Sequence, residues 1–244
     1  VRGPSWSKWS KHLALLRDAR LRRHLPATRL LGEASFRRMT AEWGAVILKP
    51  TSASGGAGVM LAAAAGRGAF RFRIGRSVRR IAGRARLRAF LKHKAARPYL
   101  VQRRIRLAEI GGRPIDFRVM VQRPRGGGWR MTGIVAKVAG RGYIVTNVAR
   151  SGGRILTAGE ALRRAAVPGG AAAVRKRIAR VSLRAAAALA RKYPYIRTIG
   201  FDIGVDRRGR VWIIEANFAP MLSLFSRLGN KTMFRRIVRL GYRG

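Results

Sequence analysis

The stretch from Gly200 to Pro220 carries two strand-like runs on either side of turn chemistry. Residues 199–205 alternate, residues 211–216 are apolar and rich in β-branched side chains, and Asp206-Arg207-Arg208-Gly209 between them supplies the turn. A β-hairpin here fixes which side chains can meet. Residues two apart on a strand share a face, so Glu215 and Asn217 point the same way, and Asp202 on the first strand sits across from them. Three oxygen-bearing side chains then converge at one end of a sheet. That set suits Mg²⁺, which takes one or two carboxylates and completes its shell with water and substrate phosphate. A hairpin with polar strand ends is the alternative reading of the same spacing.

The surroundings of Asp202 and Glu215 set them apart. The chain holds 54 Lys and Arg against 9 Asp and Glu, a net charge of +45. In such a chain an acid normally serves as a surface counter-charge. These two lie inside apolar strand sequence, where an acid needs a metal, a cation or a proton. With arginine so abundant, ion pairing stands beside metal binding as a way to satisfy them.

The same charge favours polyanions as partners: nucleic acid, phosphorylated polymers or anionic surfaces. Only nine of the basic residues are Lys, and an arginine bias of this kind also fits the coding composition of a source genome. Cysteine is absent, and the three histidines, His12, His24 and His93, are widely spaced. Disulfides, zinc thiolate sites and cysteine nucleophiles are excluded, and a His-based metal centre or a Ser-His-Asp triad is disfavoured. At 244 residues and 48% hydrophobic content the chain makes one large domain or two small ones with a proper core. No apolar run approaches the ~18 residues that span a membrane. The opening residues from Val1 to Trp6 lack the apolar segment of a signal peptide, so a cytoplasmic location is expected.

Taken in order, residues 6–24 read as one basic helix with Leu13, Leu16 and Leu21 on its apolar side, ended by Pro26. Residues 27–31 make a short strand. Residues 33–43 make a helix with Phe36, Met39 and Trp43 at core spacing. Residues 45–50 are a buried strand with Lys49 at its end. It runs into Thr51-Ser52-Ala53-Ser54-Gly55-Gly56-Ala57-Gly58 and returns as a strand over 59–64. A strand, a Gly/Ser-rich loop and a returning strand form a lid of backbone N–H groups that can cradle phosphates, with Lys49 as a point charge. The lysine precedes the glycines and no helix follows, so this is not a Walker loop; a plain glycine-rich hairpin turn is the alternative.

Residues 69–74 form another strand, 84–96 a basic helix and 98–102 a short strand, with a hinge between subdomains expected near 98–106. Strands over 115–121, 129–138 and 143–147 suggest an antiparallel meander in which Asp116 and Arg118 share a face and Lys137 lies on the second strand. Pro168-Gly169-Gly170 opens the longest helix, 171–192, with Val174, Ile178, Val181, Ala185 and Leu189 as its buried stripe. A last helix over 231–240 is capped by Asn230 and closed by Gly241. Arg84, Arg86 and Arg88 on one helix, and Arg175, Lys176, Arg180 and Arg184 on another, read as solvated faces open to a polyanion.

In order and spacing these pieces resemble ATP-grasp proteins, and among them the YheC/YheD family of endospore coat-associated proteins. The resemblance covers nearly the whole chain. It is carried by Lys8-Trp9, Leu25-Pro26-Ala27-Thr28, Val46-Ile47-Leu48-Lys49-Pro50, Asp116-Phe117-Arg118, Trp129-Arg130-Met131-Thr132-Gly133, Thr146-Asn147 with Gly152-Gly153, and Glu215-Ala216-Asn217 with Pro220. It implies an α+β ATP-grasp fold, two α+β subdomains with ATP and Mg²⁺ between them. By motif position Lys49 contacts the phosphates beneath a lid containing Ser54, Gly55, Gly56 and Gly58. Gln102 meets the adenine at the hinge, and Asp116 and Asn147 belong to the nucleotide site. Arg118 and Lys137 face the transferring phosphate, and Asp202, Glu215 and Asn217 hold Mg²⁺. Many ATP-grasp hinges carry an acid for the ribose. Gln102-Arg103-Arg104 offers none, and Glu109, in an expected loop, is the nearest substitute.

ATP-grasp enzymes typically join a carboxylate to an amine: the carboxylate is phosphorylated by ATP, and the amine attacks the acyl phosphate, releasing phosphate and ADP. The resemblance therefore implies an ADP-forming carboxylate–amine ligase with both substrates unidentified. Two other readings stay open. One is a spore-associated protein, placed at the endospore coat, whose catalysis is weak or lost. The other is a polyanion-binding module with a vestigial ATP site. The expected organisation is a helical lead-in and first strand over 1–44, a small lid subdomain over 45–97 and a large subdomain with the metal site over 98–244. Some family members carry an additional N-terminal region.

Overall fold

A computed structural model describes residues 7–53, 55–143, 146 and 148–241. The chain opens with helices α1 (Lys8–Leu16) and α2 (Ala19–Arg22), strand β1 (Thr28–Leu30) and helix α3 (Glu33–Trp43). Strands β2 (Ala45–Pro50), β3 (Met60–Ala64), β4 (Phe70–Ile74) and β5 (Ser77–Ile81) follow, then helix α4 (Arg84–Ala95) and strand β6 (Tyr99–Arg103). The remainder holds β7 (Glu109–Ile110), β8 (Arg113–Gln122), β9 (Arg130–Val138), α5 (Val148–Ser151), β10 (Arg154–Thr157), α6 (Ala158–Arg164), α7 (Ala171–Lys192), β11 (Thr198–Val205), β12 (Val211–Asn217), α8 (Ser223–Ser226) and α9 (Thr232–Gly241). The architecture is α+β.

Strand alternation builds two antiparallel sheets. The first runs β1-β6-β2-β3-β4-β5 and the second β10-β9-β8-β11-β12, with β7 beside β8. In the first, Val46, Leu48, Met60, Phe72 and Val101 share one face and pack against Phe36 and Met39 of α3 and Leu87 and Leu91 of α4. The other parity, including Lys49 and Gln102, looks toward the second sheet. There, Phe117, Val119, Ile199, Phe201 and Ile203 bury against Val174, Ile178, Ala185 and Leu189 of α7, the stripe expected from the sequence. The opposite face of that sheet is divided. One part, Met120 and Val135, is covered by Phe225 of α8 and Ile237 of α9. Gly133 makes that approach feasible, since a Cβ there would lie 2.6 Å from Ile237 Cδ1 and 2.7 Å from Phe225 Cε1. The other part carries Asp116, Arg118, Lys137 and Asp202 and stays open toward the first sheet.

Register brings these polar residues together. Asp202 pairs with Glu215 on one side and Arg118 on the other, Gly200 pairs with Asn217, and Asp116 pairs with Lys137. The hairpin read from the sequence also contains a bulge. Ile203 faces Ile213 and Asp202 faces Glu215, so Ile214 is an extra residue on β12. Ahead of the bulge Val211 and Ile213 point into the core; beyond it Ala216 takes the core side, and Glu215 and Asn217 join Asp202 on the cleft face.

Several expectations are corrected. The helix expected over 6–24 is two helices. Asp18 ends the first and caps the second, accepting from Arg20 N–H at 3.0 Å, and Leu13 is left 40% exposed. Arg184, expected on a solvated face, donates its Nε to Asp18 at 2.9 Å. No strand forms at Tyr143 or Thr146, while Ile144, Val145 and Asn147 lie outside the described residues. β10 takes the place beside β9 instead. The strand at the expected hinge, β6, pairs with β1 and β2 inside the first sheet. Glu109 is on strand β7, not in a loop. Among the described residues no helix is long and apolar enough to cross a membrane.

Candidate functional site

Lys49 closes β2 with its side chain turned toward the second sheet. Its Nζ donates to Gln102 Oε1 at 2.9 Å and to the Ile214 carbonyl at 3.2 Å, an oxygen that belongs to the bulge residue of β12. Both partners are neutral, and Lys49 is 5% exposed. Burial pushes its ammonium down to about 8; Glu215 and Asp202 oppose that shift and Lys8 adds to it. Gln102 is fixed in turn, because its Nε2 donates to Thr28 Oγ1 at 2.8 Å, which leaves the amide oxygen for Lys49.

Helix α1 supplies a third wall. Lys8 N–H donates to the Thr51 carbonyl at 2.8 Å, its Nζ donates to the Ala53 carbonyl, and the same Nζ lies 3.4 Å from Glu215 Oε1. One turn on, Lys11 is buried, and its side chain makes no hydrogen bond or ion pair to a described residue. Its Nζ stands 4.8 Å from the centre of the Phe218 ring. Burial pushes Lys11 down to about 8, against the pull of Glu215. His12 stacks on Trp9 with ring centres 5.7 Å apart, and burial, helped by Lys49, holds it down to about 4, so the ring is neutral. Lys8, Lys11, His12, Lys49, Gln102 and Glu215 line one small cavity.

Beside it lies a chain of buried ion pairs. Arg118 holds Asp202 through Nε to Oδ1 at 3.0 Å and Nη2 to Oδ2 at 3.3 Å. Lys137 Nζ reaches Asp202 Oδ1 at 2.8 Å and Asp116 Oδ1 at 3.0 Å. Asp116 also accepts from the Thr146 hydroxyl. Burial would raise Asp202, but Arg118 and then Lys137 overcome it and hold the carboxyl well below the usual range. Asp116 has only Lys137 as a cation, and burial wins there, so its carboxyl is raised. Burial lowers Lys137, and Asp116 and Asp202 outweigh it to raise the ammonium.

The site residues named from the sequence therefore fall into two adjoining groups. Lys49, Gln102 and Glu215 line the cavity under α1, while Asp116, Arg118, Lys137 and Asp202 form the ion-pair chain. Asn217 follows Glu215 on the same face of β12. Among the described residues no three acidic or histidine side chains are placed to hold one metal ion, so the donor set considered at this place is the Asp202 and Glu215 carboxylates and the Asn217 amide. In the lid, Gly55, Gly56 and Gly58 have φ of 62°, 73° and 71°. A side chain at Gly58 would also strike Tyr99 Oη, 2.7 Å from the Cβ position. Ser54 and Asn147 lie outside the described residues. Glu109 pairs with Arg207 at 3.0 Å. Sequence reasoning missed Lys8, Lys11 and Thr28 as lining residues; the i, i+3 spacing of Lys8 and Lys11 on one helix face was the available signal.

Five cations, Lys8, Lys11, Lys49, Arg118 and Lys137, thus stand around three carboxylates, Asp116, Asp202 and Glu215. Such an excess of buried positive charge suits a phosphate chain or another compact anion.

Comparisons with known proteins give the family and the fold. A family model described as YheC/D like ATP-grasp matches residues 3–242. The endospore coat-associated protein YheD of Bacillus subtilis (strain 168) is 36% identical over 141 residues, 57% of this chain and 30% of that protein. Among solved structures, the ATP-grasp ligase PsnB complexed with a minimal precursor has a TM-score of 0.56 at 17% identity, covering 96% of this chain and 59% of PsnB. D-alanine–D-alanine ligase from Bacillus anthracis has a TM-score of 0.55 at 12% identity, covering 98% of this chain and 67% of the ligase. The ADP complex of purK, an N5-carboxyaminoimidazole ribonucleotide synthetase, has a TM-score of 0.54 at 14% identity, covering 97% and 51%. At these identities the structural likeness concerns the fold.

Proposed function

The chain belongs to the YheC/D-like ATP-grasp family, and from that premise we propose that it binds ATP with Mg²⁺ in the cleft between its two sheets and joins a carboxylate to an amine, releasing ADP and phosphate. The observation that carries this reading is Lys49, a buried ammonium whose partners are the neutral oxygens of Gln102 and Ile214. A phosphate is the counter-charge it lacks. Gln102 beside it serves the adenine, and the backbone N–H groups of Gly55, Gly56 and Gly58 serve the phosphates, with Ser54 and Asn147 assigned to the same site by motif position.

The donor set fits Mg²⁺. Asp202, Glu215 and the Asn217 amide oxygen are hard ligands, and both carboxylates are at present held by cations that phosphate oxygens can take over. Held by Asp202, Glu215 and Asn217, the metal would neutralise charge on the phosphates. The chain's own part is to orient and to stabilise charge. Arg118 and Lys137 face the phosphoryl group in transit, and Asp116 holds Lys137 in place. A substrate carboxylate oxygen bonds to the terminal phosphorus as the bond to ADP breaks. The amine nitrogen then attacks the carbonyl carbon, loses a proton and expels inorganic phosphate. No protein nucleophile is required.

A second reading is a nucleotide-binding protein of the endospore coat with little or no turnover. The name of the Bacillus subtilis relative and the cation pairing of Asp202 and Glu215 favour it. Measuring ADP release across a panel of carboxylates and amines separates the two. Release that requires one of each establishes the ligase. Tight binding of the Mg²⁺–ATP complex without release for any pair supports the second reading, and failure to bind nucleotide removes both.

A further inference from the structure

The first sheet ends in an open edge dense in arginine. Among the described residues β5 pairs only with β4, and residues 77–80 are exposed. In the register of this pair Arg71 lies directly opposite Arg80 on one face of the sheet, and Arg79, opposite Phe72, lies on the face that α4 covers. Like charges facing each other across two strands oppose the pairing. α4 begins just after β5 and adds Arg84, Arg86 and Arg88, all exposed. The acid at this surface, Glu33, is taken by Arg37 at 3.0 Å, while Arg84 and Arg88 approach it only to 3.9 Å. The side chains of Arg71, Arg79, Arg80 and Arg86 make no hydrogen bond or ion pair to any described residue.

We infer that this edge, formed by β4, β5 and the start of α4, is a nucleic-acid-binding surface that contacts backbone phosphates without reading sequence. Charged edges also block strand-to-strand aggregation, but one charge meets that need, and it does not call for a like-charged pair across β4 and β5. Guanidinium forks match phosphate oxygens two at a time, as ammonium groups do not. An anionic membrane fits less well. The two exposed aliphatic residues near the β4–β5 turn, Ile74 at 52% and Val78 at 49%, do not share a face. Ile74 has the parity of the buried Phe70 and Phe72, whereas Val78 opposes Arg73 on the other side. The turn itself is held against the second sheet's loop, with the Arg76 guanidinium 5.6 Å from the Tyr143 ring centre. No apolar face remains to insert.

The surface lies at the edge of the first sheet, away from Lys49 on β2, and does not rest on the assignment of the cleft. β4 and β5 lie two and three strand spacings from β2, about 10 and 14 Å, at or beyond the Debye length of roughly 8–10 Å. The test is binding of a mixed-sequence DNA duplex over a salt series by wild type, by R71Q/R79Q/R80Q/R86Q, and by R175Q/K176Q/R180Q on exposed positions of α7. The edge variant is expected to bind on the order of a hundredfold more weakly at 0.1 M salt, with the slope of log affinity against log salt smaller by about 3–4, at roughly 0.9 per phosphate contact. The α7 variant and Lys49→Ala are expected to stay near wild type. All positions mutated on the edge and on α7 are exposed, and an unchanged melting temperature confirms the fold. Equal losses in the edge and α7 variants, no duplex binding by wild type, or binding to anionic vesicles but not to duplex would each overturn the inference.

Discussion

Asp202 is clasped by Arg118 on the neighbouring strand through two parallel hydrogen bonds, 3.0 and 3.3 Å long, with Lys137 at 2.8 Å from the same carboxylate. Removing one partner from such a buried set leaves the others uncompensated. Asp202→Asn is expected to cost about 3–5 kcal/mol of stability. Glu215→Gln, which releases Lys8 alone, is expected to cost on the order of 1 kcal/mol. Urea unfolding of both variants checks this, and equal effects would contradict the ion-pair geometry.

Metal and nucleotide should depend on each other. Because Asp202 and Glu215 are paired with Arg118, Lys137 and Lys8, Mg²⁺ must displace cations unless phosphate oxygens draw them away. Titration calorimetry should show Mg²⁺ alone binding far more weakly than Mg²⁺ with an ATP analogue. Glu215→Gln should remove most of that coupling while the protein stays folded. Strong Mg²⁺ binding to the free protein would count against this exchange of partners.

Lys11 is a buried cation that stands over a ring and, among the described residues, forms an ion pair with no acid. Burial lowers it from 10.5 to about 8, so at pH 7 the charged form is held at a cost. Replacing it with Met, which keeps the bulk, should stabilise the ligand-free protein by on the order of 1–3 kcal/mol. A raised melting temperature is the expected result. A lowered one would mean that Lys11 has an anionic partner in solution.

The nucleotide affinity should fall as pH rises through about 8. Lys49 is depressed from 10.5 to about 8 in the folded protein, so its ammonium form prevails below that pH. A bound phosphate raises the value again, and the complex therefore holds more protons than the free protein above pH 8. For ligand-free stability the sign is opposite. Between pH 8 and 10.5 the unfolded chain binds more protons at this residue, so the cost of burying Lys49 fades as pH rises. Affinity measured from pH 7 to 9.5 should decline in wild type and stay flatter in Lys49→Met. A flat wild-type profile would remove Lys49 from the phosphate site.

Local patterns were legible in the sequence, and long-range partners were not. Helix α3 and the α7 stripe follow from apolar spacing alone, and the hairpin that sets Asp202 opposite Glu215 follows from alternation and a turn. β5 escaped notice because an edge strand needs no buried face, and Ser77-Val78-Arg79-Arg80 offers no alternation to read. Asp18 lies inside the single helix expected over 6–24, yet it caps α2 and pairs with Arg184, 166 residues away. Lys8 joins the site through Glu215, and Lys49 through Ile214, 165 residues distant, at a bulge that alternation does not reveal. Ion pairing and metal binding looked equally open for Asp202 in the sequence. The ligand-free structure shows the ion pair, and the Mg²⁺ reading rests on an exchange of partners.

The most direct measurement is titration of wild type and Lys49→Ala with a non-hydrolysable ATP analogue and Mg²⁺. Among the described residues the Lys49 ammonium hydrogen-bonds to neutral oxygens, so its loss should weaken binding by about 1.5–3 kcal/mol, roughly tenfold to a hundredfold. Equal affinity in the two proteins, or no binding by folded wild type, would contradict a nucleotide site between the sheets.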